Sequence, residues 1–320
     1  MIPNAGLDNI AAYNAWNNFA GSSTADSSGT QWLAYAAISE DSTEPQATDL
    51  NIGTEKMRTN STGGFTRTAT AIRDPGTNRL GLSIERAYVF NITSSMNITK
   101  YGYVPVSSGG NFSWIDLMRV DPDDPESAPV TLNLVDGDQL QLWCTLTITV
   151  PWSVDLESFV ITGAPGKDGV GTHDAYCGFF AANDTLGSMS GNDSSILNLI
   201  RTVFWPTGQN QLLYTSQASP NSARDAALGP NTAYGFSAAN CTLATYVSGT
   251  YYRDKLFKLT TAEGNATLTA VSITAAGGTL VRPDSAHGFK VVFSDPSTFV
   301  KANTHELTLT FRVSWQEATA

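Results

Sequence analysis

Few residues in this chain have the type and spacing that chemistry needs. The histidines are His173, His287 and His305, far apart in sequence. With no H-x-x-x-H pattern and no Cys/His cluster, no transition-metal centre is expected. Asp121, Asp123, Asp124 and Glu126 carry the hard oxygens that calcium prefers. That run lacks EF-hand spacing and holds two prolines, so a solvated acidic loop is expected there and no metal is assigned. No G-x-S-x-G elbow occurs, and the chain has no lone cysteine followed by a plausible His and Asn order. The strand carboxylates are Glu85, Asp116 and Glu306, with Asp155 and Glu157 just after Trp152. Glycoside hydrolysis would need two of them roughly 5 to 10 Å apart with one held protonated. They fall where a solvent-facing strand surface is the default. The reading is a non-enzyme, with no catalytic residue and no cofactor.

The cysteines Cys144, Cys177 and Cys241 are odd in number and widely spaced. They suit neither a disulfide framework nor a zinc knuckle, and three reduced thiols are expected, with Cys144 in a core strand. Aromatic residues are the remaining surface signal. Tyr101, Tyr103 and Trp114 crowd one stretch with Phe112, and Tyr251 and Tyr252 open a later strand. These five, Tyr101, Tyr103, Trp114, Tyr251 and Tyr252, are the candidates for stacking on sugar rings. Packing in a core or an interface is the plainer use for them.

Charge narrows the partners. The 320 residues include 18 Lys plus Arg and 29 Asp plus Glu, a formal net charge of −11. That field repels polyanions, so neither nucleic acid nor an anionic membrane is expected as a partner. Charged residues make up only 15%, against about 25% in an average soluble protein. Ser, Thr, Asn and Gly supply the polarity instead. No run approaches the roughly 20 apolar residues of a membrane span. The start has no basic stretch followed by an apolar run, so a secretory leader is not expected and the sequons carry little weight.

The elements that must position these residues are mostly strands. A short helix is expected over the first twenty residues, capped by Asn4, with Leu7, Ile10, Ala11, Tyr13 and Trp16 on a largely apolar face. The period then changes to two. Strands are expected at 32–39, 65–74, 80–92, 101–106, 112–120, 130–135 and 139–150. Asp74-Pro75-Gly76 and Asp136-Gly137-Asp138 read as turns. Ser194 to Trp205 reads as a second short helix. The fold class expected is all-β, two tandem antiparallel β-sandwich domains with a short N-terminal helix.

The second half echoes the first. Asp136 to Trp152 and Ala302 to Trp315 each place a polar turn before a long alternating strand that ends at tryptophan. The stretch 63–84 is aligned with 248–274, and 31–41 with 174–184. The expected domains are residues 1–155, with the leading helix, and 156–320, a duplication of the first. Pro151 to Thr172 is the join, and its Gly163-Ala-Pro-Gly-Lys-Asp-Gly-Val-Gly is too short for a collagen triple helix and reads as an exposed linker.

The opening Ile2-Pro-Asn-Ala-Gly-Leu-Asp-Asn-Ile-Ala resembles the I-T-N-A-G-L-x-x-I-A start of bacteriophage tail-fibre and tail-collar proteins. The order of Trp32 to Ser39, the Leu82-Ser-Ile-Glu-Arg strand, the tyrosine-rich edge and the Asp136-Gly-Asp strand is also similar to β modules of phage tail and neck appendages. Where those modules read h-A-h-G-T-G (h apolar), this chain has Ile38-Ser39-Glu40-Asp41. The resemblance covers about the first 150 residues. It implies a virion structural protein of tail, neck, baseplate or fibre, made in the host cytoplasm. It implies other virion proteins as partners and a homo-oligomer, trimer or hexamer, with no catalytic residue to carry over. Leu7, Ile10, Tyr13 and Trp16 are the candidate interface to another chain, packing on the chain's own first domain being the alternative. Two other functions stand beside this one: a carbohydrate-binding module that adsorbs to a host surface glycan, and a capsid decoration protein.

Overall fold

The structure, a computed structural model, describes residues 1–12, 32–65, 68–74, 79–121, 124, 126–151, 157–162, 172–181, 211–216, 231–235, 241–275, 287–293 and 300–317. One helix, α1 (Asn4–Ala12), leads. The first half then forms β1 (Tyr35–Ser39), β2 (Glu55–Thr59), β3 (Thr68–Asp74), β4 (Arg79–Asn91) and β5 (Met96–Ile98). It continues with β6 (Lys100–Val104), β7 (Trp114–Leu117), β8 (Leu132–Leu134) and β9 (Gln139–Pro151). The second half holds β10 (Glu157–Thr162), β11 (Thr172–Ala181), β12 (Gln211–Ser216), β13 (Asn231–Gly235), β14 (Cys241–Leu243) and β15 (Tyr252–Leu259). It ends with β16 (Ala266–Thr267), β17 (Ala270–Ala275), β18 (His287–Phe293), β19 (Val300–Lys301) and β20 (Leu307–Ser314). The protein is thus mostly strand, with a single short helix and several small antiparallel sheets among the described residues.

Every described sheet draws its strands from one half. The first half has sheets β2-β1-β6-β7, β3-β4-β9 and β5-β8; the second has β10-β11-β18-β17-β12-β13, β14-β15-β20 and β16-β19. Six strand pairs of the first half are β1·β2, β1·β6, β6·β7, β3·β4, β4·β9 and β5·β8. They match, in chain order, β12·β13, β12·β17, β17·β18, β14·β15, β15·β20 and β16·β19. The hairpin β10–β11 is an addition on the β18 edge. This correspondence moves two of the alignments read from sequence. The partner of 31–41 is β12, not 174–184, and the counterpart of β15 is β4 rather than β3. The alignment of Asp136 to Trp152 with Ala302 to Trp315 coincides with β9 and β20. The two turns close alike, Asp138 N–H on Val135 O and His305 N–H on Ala302 O, both 3.1 Å. Gly137 supplies the positive φ, 92°, that the first turn needs.

Side-chain parity explains the core. In β4, Tyr88 and Phe90 point inward and meet Ala36, Ile38 and Tyr103 of the β1–β6 sheet, with Met96 and Ile98 of β5. The opposite face of β1 and β6 is also covered: Ala37 and Val104 pack with Ile52, Phe112 and Ile115. A strand buried on both faces reads as a continuous apolar run, which is why YAAIS was legible. The equivalent strand of the second half, β15, buries Phe257 and Leu259.

The same parity puts a cation inside each half. Arg86, opposite Cys144 on β9, is 6% exposed and stacks its guanidinium 4.8 Å from the Tyr88 ring centre. Lys255, opposite Phe311 on β20, is 1% exposed and lies 5.6 Å from the Phe257 ring centre. Arg86 Nη2 also donates to Asn60 O at 3.2 Å. An aromatic face offsets part of the desolvation that burying a cation costs.

Strand existence matches the sequence reading over most of the first half; five of the seven expected strands are shorter, β4 is shifted by one residue and β9 is one residue longer. Two strands were not expected. β2 carries Glu55, Lys56 and Arg58 on an edge, so it has no hydrophobic period to read. β5 is three residues long. The join is not simply a linker, since β10 occupies Glu157–Thr162. Tyr13, Trp16, the Gly163–Gly171 run and the expected helix at 194–205 lie outside the described residues.

Candidate functional site

The residues brought together most specifically are those around α1. The helix begins one residue earlier than an Asn4 cap requires, with Asn4 already inside it. The Pro3 carbonyl takes the Leu7 N–H at 3.2 Å, and the Asn4 N–H instead reaches Ala47 O at 2.8 Å. Pro3 has no N–H of its own to leave unpaired there. The buried stripe is Pro3, Gly6 and Asn9, whereas Leu7 and Ile10 are only half buried. This corrects the expected apolar face. A Cβ on Gly6 would collide with the Ser113 carbonyl oxygen, so glycine allows the helix to lie directly on backbone. Asn9 Nδ2 donates to Asn111 O at 2.7 Å and to Ser113 Oγ at 3.2 Å. Trp32 Nε1 donates to Gly6 O at 2.8 Å.

The other side of the helix meets the second half. Asp8 accepts from Tyr246 Oη at 2.6 Å, from the Gly249 N–H at 2.8 Å and from Ser248 Oγ. Trp315 Nε1 donates to Leu7 O at 2.9 Å, and the Ile2 N–H to Glu317 Oε1 at 3.1 Å. Tyr246 and Trp315 stack with ring centres 5.7 Å apart. Burial, and then the Asp8 hydrogen bond, hold the Tyr246 phenol above its ordinary range. The first residues of the chain are therefore a clamp between its two halves. No local pattern announces it, since Asp8 and its partners stand about 240 positions apart.

The predicted sugar-stacking aromatics divide. Tyr103 is 2% exposed and offers no face to a ligand. Tyr101, Tyr103 and Trp114 instead pack on one another, with Tyr101–Tyr103 centres at 6.0 Å and Tyr101–Trp114 at 5.2 Å. Burial raises both phenols above the usual tyrosine range. Tyr251 adopts φ 52°, its carbonyl accepting the Trp315 N–H. The Tyr252 ring is capped by Arg312, 3.7 Å away, whose guanidinium also grips Asp254 through bonds of 2.7 and 2.8 Å. The aromatic surface left open is one the sequence reading did not single out. Trp143, 49% exposed on β9, meets Phe65 edge-on at 5.2 Å.

The carboxylates serve structure. Asp116 bonds Arg119 at 3.2 Å, and Glu306 bonds Lys258 at 2.8 Å. Glu85 is exposed on β4. Asp124 Oδ1 accepts the Glu126 N–H at 2.9 Å, an Asx turn inside the acidic loop. Among the described residues no group of three or more His, Cys, Asp and Glu could hold a metal ion, and no helix is long and apolar enough to cross a membrane. Cys144 is a free, half-buried thiol whose pKa burial pushes up to about 12. That makes it a poor nucleophile.

A buried lysine paired with a half-exposed carboxylate bears on acid stability. Lys100 is 3% exposed and its Nζ lies 3.0 Å from Asp41 Oδ1. The Thr43 N–H and then Lys100 hold the Asp41 carboxyl below its ordinary value of 3.8. A depressed carboxylate contributes stability that is present above the unfolded pKa and is lost as pH falls through the folded one. Acid unfolding is therefore expected below about pH 4. Lys100→Met should move its midpoint to higher pH, measured by tryptophan fluorescence; an unchanged midpoint would show that the Thr43 N–H alone sets it.

Compared with known proteins, the chain matches no family model, no curated protein and no solved structure.

Proposed function

We propose that the chain is a non-enzymatic structural component of a bacteriophage virion, in the tail, neck, baseplate or fibre, and acts through subunit interfaces. The observation that carries this reading is the six-to-six match of strand pairs between the halves. It supports two tandem β-sandwiches, residues 1–155 and 156–320, related by duplication, with the opening segment clamping one to the other. The Ile2-Pro-Asn-Ala-Gly-Leu start, like that of tail-fibre and tail-collar proteins, supports the virion setting. The charged side chains that are buried sit in packing roles, which suits a scaffold. A trimer of such a chain presents six similar units, enough to meet a six-fold ring with near-equivalent contacts.

The test is the absolute mass of the purified chain by light scattering over a range of concentration and salt. A defined oligomer is expected. A single-chain mass throughout would move weight to host adsorption or capsid decoration. Adsorption has one specific observation behind it, the exposed Phe65–Trp143 pair. A glycan array is expected to stay silent; binding lost on Trp143→Ala would favour that second reading instead.

A further inference from the structure

β9 is 13 residues long and lies at the edge of its sheet. Its register with β4 runs unbroken from Arg79↔Pro151 to Asn91↔Gln139, with no bulge to turn the edge away. Among the described residues nothing pairs with its other side. Gln139 to Val150 contains no charged residue and no proline. Several other edges carry charge: β2 has Glu55, Lys56 and Arg58, β3 has Arg73 and Asp74, and β20 has Arg312; the uncharged edges β13 and β14 are only five and three residues long. A long, flat, uncharged edge is a template for strand pairing, which proteins leave open only where a partner covers it.

Hydrogen-bond parity says which groups face outward. The Ile92 N–H donates to Asp138 O at 2.8 Å, and the Val89 N–H turns away from β9 to Ser61 O, also 2.8 Å. Even-numbered residues of β9 therefore bond β4. Gln141, Trp143, Thr145, Thr147 and Thr149 turn their N–H and C=O to the open edge. One of those carbonyls, Trp143 O, takes Tyr103 Oη at 3.4 Å and keeps a second lone pair.

We propose that β9 is the interface between two copies of this chain, paired antiparallel with the β9 of the second copy about a two-fold axis through Thr145. The outward set is symmetric about Thr145, so Thr145 faces its own copy and Trp143 faces Thr147. Leu142 then lies opposite Ile148 and Cys144 opposite Leu146. Leu140, Leu142, Cys144, Leu146 and Ile148, each half exposed in the single chain, stay on one face and extend the core across the axis. The exposed Trp143 gains a β-branched cross-strand neighbour. Three such pairs about a three-fold axis make a hexamer. The inference rests on the assembly reading above and names the surface it uses.

Cysteine cross-linking tests it on the full chain. Across the axis the two Thr145 Cα atoms would stand about 5.5 Å apart, inside the disulfide range. The two Thr147 Cα atoms would stand well outside it. Thr145→Cys is expected to give a disulfide-linked dimer on mild oxidation, and Thr147→Cys and the wild type none. Thr145→Lys, which sets two ammonium groups together at the axis, should weaken association at least tenfold. An oligomer that neither cross-links through position 145 nor responds to lysine overturns the β9 interface and leaves the assembly reading standing. A single-chain mass at all concentrations overturns both.

Discussion

Tyr88→Ala is expected to cost the first half about 4 kcal/mol, and Phe257→Ala to cost the second half a similar amount. Both rings are fully buried. Each stands two residues beyond a buried cation on the strand that pairs with the last long strand of its half. Tyr88 faces Leu142 and Phe257 faces Leu309. Truncation removes the ring's burial, leaves a cavity, and strips the aromatic face from Arg86 or Lys255. Tyr88 also loses the hydrogen bond from its hydroxyl to Leu33 O. Calorimetry of the two variants would measure the effects. If the halves unfold as separate units, each substitution lowers one transition and spares the other. A cost below about 1 kcal/mol for Phe257→Ala would mean that the repeated pairing does not extend to the energetics.

The second large effect is on the clamp. Asp8→Ala removes the acceptor of three hydrogen bonds from Tyr246, Ser248 and Gly249. Hydrogen bonds to a charged group are worth more than neutral ones, but Asp8 is half exposed, so about 2 kcal/mol is expected in total. That corresponds to a loss of roughly 30-fold in hydrogen-exchange protection over α1 and the 246–251 loop. Asp8→Asn, which keeps a side-chain oxygen, should lose less. Gly6→Ala attacks the other side of the same helix by forcing a Cβ into the Ser113 carbonyl. It should free the helix from the first half as Asp8→Ala frees it from the second. Protection unchanged in both variants would show that α1 does not hold the halves.

Periodicity made most strands of the first half legible. The alternation of β4 and β9 and the apolar run of β1 each follow from a strand with one or two covered faces. β2 escaped because Met57 is its one apolar residue, and the half-buried position of Arg58 over the Phe112 ring leaves no apolar period to read; charges on an edge also keep it from pairing further. The correspondence between the halves was legible at its end, where β9 and β20 share a polar turn and a long alternating strand. It was misaligned at its start, because β10 and β11 precede β12, the strand whose pairing matches that of β1. Arg86 and Lys255 fall on the inward parity of Tyr88 and Phe257, so the sequence contained the signal for two buried cations. A charge on an inward position simply has no local explanation until its aromatic neighbour is seen to cover it.

The sequence by itself determined composition, charge and the β class, because these depend on nearest neighbours and on a period of two. It also marked Asp136 to Asp138 as a turn, a matter of local backbone conformation. Only the tertiary structure decided what the aromatics do. Tyr103 and Trp114 alternate like exposed residues of a strand end, and it is the packing of one sheet on another that buries Tyr103 while leaving Trp143 open. Likewise the helix face follows from contact with two distant segments, not from its own apolar spacing. Gly6 and Asn9 are buried because a close backbone approach needs a missing side chain and a satisfied amide. Asp8 finds its partners because pairing within each half brings the 246–251 loop beside the first turn of the chain, and no pattern confined to a few residues encodes that meeting.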